Sequence, residues 1–150
     1  MIKTIIVTTD LSDESKAAFP LAKELAKRFN SELILLAVVE DLSQAAMAYA
    51  MDFPVLPDAD LQRQLLERVS KELEEIRKSY FADTSCVCLV HEAHAPVHTE
   101  VVKLARLKNA DLIIMATHGR TGIGRLLIGS VAEKIVREAH CPVLTVPNAK

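Results

Sequence analysis

The chain has 150 residues, 50% of them apolar and 25% charged, which fits one globular domain (1–150) with a sizeable core. A net charge of −2 leaves no electrostatic footprint for nucleic acid or an anionic membrane, and 4% aromatic residues with no Trp argue against base-stacking platforms. The longest clean aliphatic run, Leu33 to Val39, is too short to span a bilayer, and MIKTIIVTTD lacks the long apolar stretch of a signal peptide, so a cytoplasmic protein is expected.

Lys3 to Thr9 is β-branched and reads as a buried strand. Ser12 is placed to cap the next helix, with Asp13 and Glu14 in its first turn. Ala18, Leu21, Ala22, Leu25, Ala26 and Phe29 repeat at helical spacing, and Asn30 ends that helix. Glu32 to Val39 is the second strand. A long connection follows, from Glu40 to about Ala59, with Met47, Tyr49, Met51 and Phe53 between its polar residues. Leu61, Leu65, Leu66, Val69, Leu73, Ile76 and Tyr80 then mark a long amphipathic helix with a charged outer face. Thr84 to His91 reads as a strand, Val97 to Leu107 as a helix, Asp111 to Ala116 as a strand, Ser130 to Ala139 as a helix and Pro142 to Val146 as the last strand. The three cysteines form no CxxC pair. Cys86 and Cys88 share one strand face and read as buried, inert thiols.

Strands alternating with helices imply an α/β fold, a doubly wound five-stranded parallel sheet with helices on both faces. The expected strand order is 3-2-1-4-5, and ligands of such sheets bind at the carboxyl ends of strands where the order reverses. That switch point lies between the first and fourth strands. Thr8 to Asp10 ends there, and so does Ala116 to Gly119.

All four glycines, Gly119, Gly122, Gly124 and Gly129, fall in one window after the fourth strand. Glycine serves where a backbone needs unusual angles or a close approach. The window runs into the helix opening Ser130-Val-Ala-Glu133, which has capping-box spacing with Ser130 at N-cap. A strand, a glycine-rich loop and a helix N-terminus together suit phosphate, and Arg120 and Arg125 can reach its oxygens. The loop has no GK[ST] ending, so it is not a P-loop. The first turn, TTDLSDES, has no glycine. It offers Asp10, a carboxylate able to accept from a ribose hydroxyl or a base amino group; as a turn residue ahead of Ser12 it needs no ligand.

In these stretches the chain resembles the universal stress proteins. Their motif, after the fourth strand, is G-x-x-G, nine residues, then G-[ST]. Gly119, the residues Arg120 to Ile128, and Gly129-Ser130 match it, and Ala116 stands at the motif's first glycine. THGRTG, GSVAEKIVREAHCPVLTV and TTDLSDES are also typical. The resemblance covers the whole chain. It implies an adenine-nucleotide alpha-hydrolase-like domain that binds ATP, ADP or AMP, with magnesium as a candidate companion and no structural metal. It also implies a homodimer, through Pro142 to Val146, active in stress responses. By this resemblance Asp10 and Val38 contact the adenosine part, and Gly119, Gly129, Ser130 and Val131 hold ribose and phosphates. Thr8, Ala116, His118, Arg120 and Arg125 complete the expected nucleotide site.

No nucleophile–base pair or Walker-type lysine is visible, so the expected protein binds rather than turns over its ligand; slow ATP hydrolysis or autophosphorylation through Ser130 is the most that is expected. His91, His94 and His98 have a spacing able to bind zinc or nickel if their loop folds back, but no cysteine completes a known pattern and they read as surface or partly buried histidines. A second reading of the whole chain is a dimeric interaction protein with an empty site, its partners docking on Met47 to Phe53.

Overall fold

Unbroken aliphatic and β-branched stretches become strands, and the helical repeats between them become helices. The computed structural model describes residues 1–41, 59–118 and 128–148. Strand β1 (Thr4–Thr8) leads through a 3-10 turn (Glu14–Ala18) into helix α1 (Phe19–Phe29). Strand β2 (Glu32–Glu40) precedes α2 (Ala59–Tyr80), β3 (Cys86–Ala93) and α3 (Val97–Leu107). Strand β4 (Leu112–Ala116), α4 (Ser130–Glu138) and β5 (Val143–Val146) complete the order. The strands form one parallel five-stranded sheet, β3-β2-β1-β4-β5, the order expected from the sequence.

Alternate residues of each strand feed two cores, one on each face of the sheet. Ile5, Val7, Leu33, Leu35 and Ile114 pack with Phe19 and Ala22 of α1 and Leu73 of α2. Ile6, Ile34, Leu36, Ile113 and Met115 pack with Val101 and Leu104 of α3 and Ile135 of α4. Phe19 and Phe81, both buried, meet edge to face with ring centroids 5.4 Å apart, pinning α1 to the end of α2.

Local departures from the sequence reading have local causes. The helix after β1 does not start at Ser12: a 3-10 turn intervenes, and the α-helix begins only at Phe19. Pro20 has no N–H to give the Lys16 carbonyl, and the Phe19 N–H takes that carbonyl instead. Asn30 does end α1, in the left-handed conformation. Strand β3 starts two residues later than Thr84, whose N–H turns back to the Phe81 carbonyl at 3.0 Å. It also runs two residues further, because β2 continues to Glu40 and pairs with Glu92 and Ala93. The connection with Met47, Tyr49, Met51 and Phe53 lies outside the described residues, as do Gly119, Arg120, Gly122, Gly124 and Arg125.

Candidate functional site

Strand β2 outlasts its neighbour β1, and this opens a cleft. The β1–β2 register ends at Thr8–Leu36, and the last main-chain bond runs from the Thr9 N–H to the Leu36 carbonyl at 2.9 Å. In a parallel pair alternate residues face one neighbour. Leu36 faces β1, so Val38 and Glu40 present their main-chain N–H and C=O groups to the side that β1 has left. On the far side of β1, strand β4 ends at Ala116. Between these strand ends lies a cleft of about 470 Å³, at the switch point of the sheet.

Eight residues expected at the site line this cleft. Thr8 and Asp10 come from the end of β1, Val38 from β2, and Ala116 and His118 from the end of β4. Gly129, Ser130 and Val131 come from the start of α4. Gly119, Arg120 and Arg125, also expected there, lie outside the described residues. Leu65 and Val69 of α2, Val97 and Val101 of α3, and Met115 add apolar wall that the sequence reading missed. In sequence these are ordinary core-facing positions, and nothing local separates those at the cleft from those deeper in.

The start of α4 differs from the expected capping box. Gly129, not Ser130, is the N-cap, and among the described residues no side chain caps the helix. The first helical bond runs from the Glu133 N–H to the Gly129 carbonyl at 2.9 Å, so the N–H groups of Ser130, Val131 and Ala132 have no carbonyl partner within the helix. Tertiary contact sets this boundary: the Gly129 N–H donates to the Thr117 carbonyl at 2.8 Å, and the Thr117 N–H to Val146 at 2.9 Å. The helix thus offers the cleft a partial positive charge with directed donors.

Asp10 combines the two roles considered for it. It lines the cleft, and its Oδ1 accepts from the Ser12 N–H at 3.0 Å and from the Ser12 hydroxyl. His118 Nδ1 lies 2.9 Å from Thr117 Oγ1, while its Nε2 is buried with no hydrogen-bond partner among the described residues. Such an orphaned polar atom beside a cleft suits a polar ligand. Ala116 is 8% exposed, its methyl at the strand end.

His91, in β3, and His98, in α3, are tied to separate carboxylates. His91 Nε2 lies 2.9 Å from Glu100 Oε2, and since a carboxylate only accepts, this nitrogen carries the proton. Burial works to raise the Glu100 pKa, but His91, the Lys103 ammonium and the His94 N–H outweigh it and hold the carboxyl below its ordinary value. His98 Nε2 stands 3.6 Å from Glu138 on α4. Among the described residues no group of three or more His, Cys, Asp or Glu side chains could hold a metal ion. Burial pushes the Cys86 thiol up to about 11 and Cys88 up to about 12, which keeps both protonated at neutral pH.

The sequence profile described as the universal stress protein family matches residues 1–147. A universal stress protein of Methanocaldococcus jannaschii is 33% identical over 160 aligned residues, which cover 100% of this chain and 85% of the relative. The solved structure of a second M. jannaschii protein, also called a universal stress protein, superposes with a TM-score of 0.74 at 27% identity, covering 100% of this chain and 99% of that one. A universal stress protein crystallised in complex with cAMP has a TM-score of 0.62 at 24% identity, covering 99% and 98% of the two chains.

Proposed function

The chain belongs to the universal stress protein family, and from that premise we propose that it binds ATP or another adenine nucleotide in the cleft and acts as a nucleotide-responsive regulator. The observation that carries this reading is the edge of β2 at Val38, beyond the end of β1, facing a cleft whose other end is the start of α4, uncapped among the described residues. A strand edge presents a donor and an acceptor side by side. Adenine offers an acceptor at N1 and a donor at its amino group, the complement of that pair. Asp10 takes a ribose hydroxyl, and the N–H groups of Ser130, Val131 and Ala132 take phosphate oxygens, each a charge-assisted bond. His118 Nε2 finds its missing partner on the ligand. A relative of the same fold is described with bound cAMP, which supports a fold able to hold an adenine nucleotide; the assignment for this chain rests on its own cleft. The protein acts as a homodimer joined through the open edge of β5.

The test is direct. Mass spectrometry of nucleotide released from the purified protein, then calorimetry with AMP and with ATP plus magnesium, is expected to find an adenine nucleotide and to show preference for it over the guanine counterpart. Absence of binding up to about 1 mM, where an affinity is worth only about 4 kcal/mol, sinks the proposal.

A further inference from the structure

The segment from Thr9 to Ser15 carries backbone strain next to the cleft. Among the described residues three other than glycine have positive φ: Leu11 at 68°, Asn30 at 53° and Asn109 at 49°. Asparagine tolerates this region through local hydrogen bonds, and Asn30 caps a helix there. Leucine has no such help, so its surroundings must hold it. Its N–H donates to Thr9 Oγ1 at 3.0 Å, and Thr9 Oγ1 lies 2.7 Å from Ser15 Oγ. Ser15 gives its only hydroxyl proton to the Ser12 carbonyl at 2.8 Å, so Thr9 is the donor in the hydroxyl pair. The Ser15 N–H donates to Ser12 Oγ at 3.2 Å, and Ser12 in turn donates to Asp10 Oδ1. Thr9 and Ser15 are 6% and 5% exposed, so little water competes for these bonds.

We propose that Thr9 and Ser15 are positioning residues: their buried hydroxyl pair holds the left-handed turn at Leu11 and thereby sets the Asp10 carboxylate at the cleft wall. Both hydroxyl protons are already committed within the turn, which leaves neither as a donor to the ligand. The inference rests on the nucleotide reading of the cleft and names the residues that set its adenosine end.

A double-mutant cycle on the full chain tests it, with AMP as the probe and calorimetry as the readout. Thr9→Val keeps the side-chain shape but strands the Leu11 N–H, and is expected to weaken AMP binding about tenfold, with Thr9→Ser restoring it. Asp10→Asn keeps an oxygen for Ser12 and removes the charge; in that background Thr9→Val is expected to cost less than about threefold more, because both act through one contact. Ser15→Ala is expected to repeat the loss if Thr9→Val folds poorly. In ligand-free protein the Leu11 amide is expected to exchange faster in Thr9→Val and at the wild-type rate in Thr9→Ser. Unchanged AMP affinity in folded Thr9→Val, or a full tenfold loss in the Asp10→Asn background, overturns the positioning role alone. Wild-type protein that binds no AMP overturns the nucleotide reading and this inference with it.

Discussion

Gly129 has a φ of −57°, open to any residue, yet a side chain does not fit there. A Cβ at this position falls 2.9 Å from the Thr117 carbonyl oxygen, the same oxygen that accepts the Gly129 N–H. Glycine is needed for close approach rather than for left-handed backbone. Gly129→Ala is expected to lower stability by about 1–3 kcal/mol, as overpacking at a backbone contact does. It should also weaken nucleotide binding, because the start of α4 shifts. Denaturant unfolding and calorimetry check both; wild-type stability in the variant means that the closure relaxes freely. Glycine clustering made this residue conspicuous in the sequence. The reason for it is a carbonyl twelve positions earlier, which no pattern in the sequence reveals. Ser130 shows the converse: its spacing to Glu133 fits a capping box, but the bond at Gly129 moves the cap back by one residue.

Strand β1 owes its start to a side chain from the other end of the chain. Asp111 Oδ2 accepts the Lys3 N–H at 2.7 Å and the Thr4 N–H at 3.0 Å, and these bonds hold its carboxyl below the ordinary value. A pKa lowered on folding adds stability above the unfolded value and loses it as pH falls through the folded one. Asp111→Asn is therefore expected to be less stable than wild type above about pH 4, with the gap closing in more acid solution. Urea unfolding across that range measures it, and a gap independent of pH contradicts it. Element types and order were legible from periodicity, and α3 has the bounds the sequence suggested. Boundaries failed where a neighbour intervened. Pro20 broke a helix that apolar spacing alone continued, and β2 drew β3 on to Ala93.

At the scale of the whole molecule, β5 is an edge strand that pairs with β4 alone among the described residues. Leu144 and Val146 face β4, as the Thr117 bond to Val146 shows, so Val143 and Thr145 point their N–H and C=O groups outward. Thr145→Pro removes an outward N–H without touching the β4 ladder, and is expected to convert a wild-type dimer to a folded monomer. Sedimentation checks this; a monomeric wild type rules out the β5 dimer. Among the described residues no helix is long and apolar enough to cross a membrane. By itself the sequence determined the alternation of strands and helices, the parallel sheet and the approximate place of its switch point, because these follow from side-chain periodicity along short stretches of chain. Only the tertiary structure decided which main-chain groups stay open at Val38, how α4 begins, and which wall residues of α2 and α3 meet the cleft. Those depend on where one strand stops relative to another and on how closely two backbones approach, relations that join residues as far apart as Lys3 and Asp111.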